Sequence, residues 1–402
     1  MAFRNIKLPI SDFKIENQRA TRGGRQSPAP SGVVTLVRGS AAARIVSALL
    51  FLVFLASSAV GQVPTPMQGT NKASKAGEQA GIGNYPVFEF HSGFWINLHH
   101  ALYEQARVRE QRPTARPEKP SASSGEEKKT SGKTTGGSPG AEEKAWSEAV
   151  EYYAAALARR DLVFDGEMVD IKNRLAELET CADLSGKSEY RCAAGLQPEL
   201  IAALERGAPW YRAQWWNKHD QSNRAWIAAT EPLAREFGAK LAEQLANVYH
   251  AEWPGGIIRV DVCQYAGLTG GYTSLDPLHI TISARDERNQ DTAGLEELFY
   301  EASHGLAGGV RDALVREYRL REKPIPRDLW NAILFYTTRE FVKRSSVGKE
   351  GSVERFGLAT RGWQNFQGVL ERHWKPYLDA LMRGRAGPDD FDRALAQVVT
   401  SL

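Results

Sequence analysis

The stretch Gly294-Leu-Glu-Glu-Leu-Phe-Tyr-Glu-Ala-Ser-His304-Gly-Leu-Ala307 decides how the rest of the chain is read. Leu295, Leu298, Phe299, Ala302 and Leu306 recur at the spacing of one helical face. The polar side carries Glu297, Tyr300, Glu301 and His304. Residues three and four apart on a helix project together, so Tyr300, Glu301 and His304 form one constellation. Asp291 or Thr292 can cap this helix, and Gly308-Gly309 loosens its far end.

Upstream of the helix, residues 257–263 (IIRVDVC) and 279–283 (HITIS) are rich in β-branched side chains and read as strands. The Gly- and Thr-rich turn 267–274 between them suggests a hairpin-like connection. Downstream, Pro324 and Pro326 precede a helix over 327–344. Trp330, Ile333, Leu334, Thr337 and Phe341 form its buried stripe, and Glu340 falls about 80° from the stripe's centre, where a carboxylate can reach inward. Further helices are expected over 92–110, 143–162, 165–180, 197–205, 210–248, 352–384 and 388–400. The chain shows no internal repeat. These elements predict an α+β fold, predominantly helical, with a small sheet just before the central helix.

Replacing Tyr300 by His would turn Tyr300-Glu-Ala-Ser-His304 into His-Glu-x-x-His, the zinc metallopeptidase pattern. With the preceding strands and the following helix bearing Glu340, residues 255–345 resemble the core of a glutamate-ligated zinc metallopeptidase, a gluzincin. The resemblance implies a zincin-like core, with Glu301 as general base, His304 as second metal ligand and Glu340 as third. Zinc is the implied cofactor and a peptide or protein the implied substrate. Tyr300 stands at the degenerate first-ligand position. A neutral phenol is a poor zinc ligand beside imidazole, so metal affinity is expected to be weak or lost unless another side chain substitutes. His91, His99, His100 and His279 are the candidates, and His279, on the strand just before the helix, is the first choice. The functional expectation is an exported metallopeptidase-like protein, weakly active or a pseudoenzyme that keeps a binding cleft. The alternative is a non-catalytic periplasmic helical binding or structural protein with an accidental motif, in which Glu340 can point elsewhere; Glu301 and His304 can also lie on a solvated helix face with no site at all.

Composition narrows the classes further. The net charge of +3 is concentrated at the N-terminus. Eight of the 51 Lys/Arg and two of the 48 Asp/Glu fall in residues 1–44, and none in 45–61, leaving 43 against 46. That balance gives no support to a nucleic-acid partner. Residues 45–60 (IVSALLFLVFLASSAV) form an apolar run that ends in small residues. It reads as a secretory signal cleaved near residue 61, with an uncleaved anchor as the other reading. Residues 1–61 are therefore an N-terminal extension and signal peptide, and the mature protein is expected to be periplasmic or extracellular. Contact with a membrane is expected only through an uncleaved signal.

Residues 62–84 look like a flexible leader. The Pro/Ser/Gly/Lys/Glu-rich tract 111–143 has almost no apolar side chains and is expected to be a disordered insertion. It interrupts a single domain over 85–402. Export permits disulfides; Cys181 and Cys192 flank a short polar loop and could pair, leaving Cys263 alone, or all three could be free. No nucleophile elbow, phosphate loop or dinucleotide fingerprint is present.

Overall fold

The computed structural model describes residues 87–111, 140–184, 195–345 and 356–402. All of these belong to one compact unit running from Gly77 to Leu402. The apolar run at 45–60, the leader 62–84, most of the low-complexity tract and Cys192 lie outside the described residues.

Strand β1 (Val87–His91) leads into helix α1 (Phe94–Gln111). Helices α2 (Ala141–Ala156), α3 (Gly166–Glu177) and α4 (Pro198–Tyr211) follow. Asp165 caps α3 by accepting from the backbone N–H groups of Glu167 and Met168, and Pro198 opens α4 where no helical hydrogen bond is forfeited. A π-helical turn, Arg212–Trp216, joins α4 to the long helix α5 (Asn217–Tyr249). Helix α5 ends at His250, which takes a left-handed conformation (φ 50°).

The sheet has four strands in the order β1-β2-β4-β3. Strand β2 (Ile257–Cys263) pairs in parallel with both β1 and β4 (Leu278–Ser283), and β3 (Gly271–Leu275) runs antiparallel along β4 at the edge. This corrects the expected hairpin between 257–263 and 279–283, which lie side by side in parallel. The turn-like stretch itself supplies a strand, because Tyr272, Thr273 and Ser274 can pair with His279, Ile280 and Thr281 once the chain reverses at Asp276-Pro277. The hairpin is therefore β3–β4.

Helix α6 (Thr292–Ser303) crosses the sheet and ends in a 3-10 turn, His304–Leu306. Helix α7 (Gly308–Leu320) follows directly. The expectation was that Gly308-Gly309 would only end the preceding helix; the glycines instead begin a new one. Val310, Ala313, Leu314 and Tyr318 bury its inner face at helical spacing. Helix α8 (Leu329–Arg344), then α9 (Gln364–Val369), α10 (Lys375–Met382) and α11 (Pro388–Ser401), complete the chain.

Apolar residues fall into two clusters separated by the sheet. Helices α1 to α4 pack with Cys263, Ala266 and Tyr272, and α5 to α11 pack with Ile258, Val260, Val262, Ile280 and Ile282. Alternation along the strands explains the division, since neighbouring side chains leave opposite faces. Both α1 and α2 belong to the first cluster, so the tract between them joins two helices of one core. The architecture is predominantly helical α+β, as the sequence implies.

Candidate functional site

Helix α6 carries the chemistry, and all twelve of its residues are buried. The polar face read from its sequence does not meet solvent. Leu295, Leu298, Phe299 and Ala302 are sealed in the core. The opposite side lies beneath β3, where Thr273 Oγ1 donates to Glu301 Oε2 at 2.7 Å and lies 3.0 Å from the Glu301 carbonyl oxygen. Closeness here depends on Gly271. A Cβ at that position would lie 2.7 Å from Glu297 Oε1 and 3.2 Å from Glu301 Oε1, so both carboxyl groups converge on one strand glycine.

Three carboxyl groups of α6, on Glu296, Glu297 and Glu301, are thus held away from water. Burial pushes the Glu301 carboxyl up to about 8, helped by the neighbouring Glu297 and opposed by the Thr273 hydrogen bond. Burial also raises Glu296 to about 8, against the pull of Arg339, whose Nη1 lies 3.7 Å from Glu296 Oε1. Glu297 shifts upward for the same reason, opposed by Arg361. Desolvation disfavours each charged form, and the pull of Arg339 and Arg361 does not offset it.

His304 begins the 3-10 turn, and its Nδ1 lies 3.8 Å from Glu301 Oε2. Burial, followed by the charges of Arg311 and Arg361, depresses its imidazole to about 3. With His304 neutral and Glu301 largely protonated at neutral pH, this contact is not an ion pair. Nε2 of His304 is buried without a hydrogen-bond partner among the described residues. Tyr300 packs edge-on against His304 at 5.0 Å and against Phe335 at 5.5 Å between ring centroids. Burial, with Glu301 and Glu297 close by, pushes its phenol well above the ordinary tyrosine value, so the phenolate that could ligate a metal is disfavoured.

The remaining expected ligands lie in other networks. Glu340 is paired with Arg344 at 3.0 Å, and Arg344 also reaches Asp379 at 2.5 Å. On α8 the residue that turns toward α6 is instead Arg339, through Glu296. Glu340, the expected third ligand, is thus held by the i,i+4 arginine, which also reaches α10. His279 is also engaged at both ring nitrogens, with Nε2 2.5 Å from Asp261 Oδ2 and Nδ1 2.9 Å from Asn173 Oδ1. His279, the expected substitute for the missing ligand, thus takes part in the sheet's own polar network. His91 pairs with Glu179 at 2.8 Å. His99 contacts the Tyr153 hydroxyl, and His100 contacts the Ile96 carbonyl and the Tyr272 hydroxyl.

Among the described residues, no three His, Cys, Asp or Glu side chains assemble as a metal-holding group. With Glu340 paired to Arg344 and His279 engaged at both ring nitrogens, the donors that the resemblance implies for zinc are not gathered at one point. Glu301 and His304 come together, Tyr300 adds a protonated phenol, and Glu340 and His279 belong elsewhere.

The unforeseen member is Arg361, at the end of the 3-10 turn Leu358–Arg361. Its side chain is only 3% exposed, and Nη2 makes a close ion pair with Glu297 Oε2. The sequence places Arg361 in an expected helix 57 positions beyond His304, with nothing to point it toward α6. Thr273, expected in a turn, was hidden for the same reason.

A second polar network lies on the other side of the sheet. Lys172, fully buried, donates to Ser274 Oγ at 2.7 Å and to the His279 carbonyl at 2.9 Å. Burial lowers its ammonium to about 7, opposed by Asp261 and Glu301. Asp261 is also held by Arg259, which bridges onward to Glu179.

Among the described residues, two surface cavities can be named, the smaller sharing Arg339 with the α6 site. A shallow groove of about 500 Å³ is bordered by Trp95, Asp183, Glu205, Pro209 and Arg212, and a smaller one of about 80 Å³ by Tyr336, Arg339, Glu340, Lys343 and Glu371. No protein-family model, curated protein or solved structure matches the chain.

Proposed function

We propose that this chain is an exported, metallopeptidase-like pseudoenzyme, built on a helix and edge strand of zincin-like arrangement but without a hydrolytic metal centre. The observation that carries the reading is the fate of the ligand positions. Glu301 sits beneath the antiparallel edge strand, where a general base would be expected. The partners that would complete a metal site are a buried phenol, a carboxylate paired with Arg344 and an imidazole engaged at both nitrogens. Burial also raises the Glu301 carboxyl, an environment that favours its protonated form. Export is supported by the apolar run at 45–60 and by Cys181, which is disulfide-bonded.

Elemental analysis of the purified mature protein, paired with hydrolysis of a quenched peptide library, tests this. The expected result is far less than one zinc per chain and no chelator-sensitive cleavage. Tyr300→His alone is expected to leave zinc content unchanged, because Glu340 and His279 remain committed elsewhere. Near-stoichiometric zinc in the wild-type protein, with chelator-sensitive cleavage, would sink the proposal.

A further inference from the structure

We infer that Arg361 is the resident cation of this site. Its guanidinium, enclosed by the rings of Tyr300, Phe335 and Trp363 and paired with Glu297, fills a cage fitted to a flat organic cation rather than to a metal ion.

The geometry is that of an aromatic cage. The guanidinium carbon lies 4.3 Å from the Phe335 ring centroid, 5.2 Å from that of Tyr300 and 5.9 Å from that of Trp363. All three fall within the roughly 6 Å over which a ring quadrupole attracts a cation. Nη1 donates to the Thr269 carbonyl at 3.3 Å, and Nη2 reaches the Glu297 carboxylate. Glu296, Glu301 and Tyr300 add to the field that favours the guanidinium charge.

Those walls suit one kind of ligand. A divalent ion needs several lone pairs at short range, and ring faces supply none. A guanidinium presents planar faces to rings and N–H groups to a carboxylate and a carbonyl. With its side chain sealed, Arg361 places a fixed positive charge beside three buried carboxyl groups. Exchanging it for a neutral residue would leave Glu297 without its cation and three rings facing a gap.

The inference rests on the metal-free reading of the site, and the test separates the two. In full-length Arg361→Gly, thermal unfolding is expected to fall by roughly 10 °C, as for a broken buried ion pair in a domain of this size. Millimolar guanidinium chloride is expected to recover at least half of that loss, while sodium chloride at equal ionic strength recovers none. The same guanidinium is expected to give no rise in the wild-type protein, whose cage is filled. Failure of guanidinium to outperform sodium chloride would overturn the inference, as would stabilisation of Arg361→Gly by zinc chloride.

If Arg361→Gly does not fold, Arg361→Lys and Arg361→Met decide the matter. Lys is expected to retain measurably more stability than Met, and equal losses would count against a cation site. Zinc in the wild-type chain would instead defeat the pseudoenzyme reading. Absence of guanidinium rescue with a zinc-free wild type defeats this inference alone.

Discussion

Glu301 sets the pH behaviour of the site. In the folded chain its carboxyl retains a proton to about pH 8, whereas its ordinary value is 4.5. Between those values the native state binds more protons than the unfolded state, so this residue's contribution to stability declines as pH rises and levels off above about 8. Glu301→Gln removes the decline. The variant's stability relative to wild type is expected to climb between pH 5 and pH 8, by a few kcal/mol in all. Urea unfolding at several pH values measures the difference, and a flat difference would show that Glu301 is ionised in the fold. Comparison with wild type is needed because other groups titrate in opposition. His304, depressed to about 3, and Lys172, lowered to about 7, each add stability as pH rises through their own windows. The nearness of Glu301 and His304 was legible in the sequence, since residues at i,i+3 on a helix project together. Their burial was not, because it is imposed by β3 and by an arginine with no local link to them.

At the scale of elements, the crossing of β3 over α6 is the tight point. Glu297 is pinned by Arg361, so its oxygen cannot retreat from a methyl group at Gly271 as a free side chain could. Gly271→Ala is therefore expected to cost about 1–3 kcal/mol of unfolding free energy. Gly368, on α9, provides the contrast: a Cβ there meets nothing within 4 Å. Gly368→Ala should be neutral or stabilising by up to about 1 kcal/mol, since alanine loses less backbone entropy in a helix. Denaturant curves of the two variants test the pair, and equal effects would contradict the close approach.

Element identity was largely readable from periodicity. Helices α1, α3, α8 and α11 begin and end within a few residues of the expected positions. The errors were topological. Strands β2 and β4 are separated by a turn-like sequence, and only long-range pairing reveals that β3 occupies the far edge and leaves β2 and β4 parallel. Helix α7 was missed because its first two residues are glycines, which on sequence grounds mark an ending.

Across the whole molecule, a single sheet partitions two hydrophobic clusters, and each face of that sheet carries its own polar network. Cys263 lies on the α1–α4 side, fully enclosed, with its thiol pushed well above the ordinary value by burial and by Asp261. A thiol that is neither exposed nor ionised is inert. A colorimetric thiol reagent is expected to leave Cys263 unmodified in the native protein and to react with it promptly once the chain is unfolded. Rapid modification under native conditions would mean that the α1–α4 layer opens readily. The two-cluster division could not be drawn from composition, because only strand alternation assigns residues to a face.

The contact between Arg361, Glu297 and Tyr300 also has a historical consequence. A histidine at position 300 would replace the phenol ring that faces the Arg361 guanidinium, so a chain that keeps Arg361 gains little from it. Related chains should therefore fall into two groups, one with both exchanges and one with neither, with intermediates scarce. Sequences of such relatives would test the coupling, and free mixing of the two exchanges would contradict it.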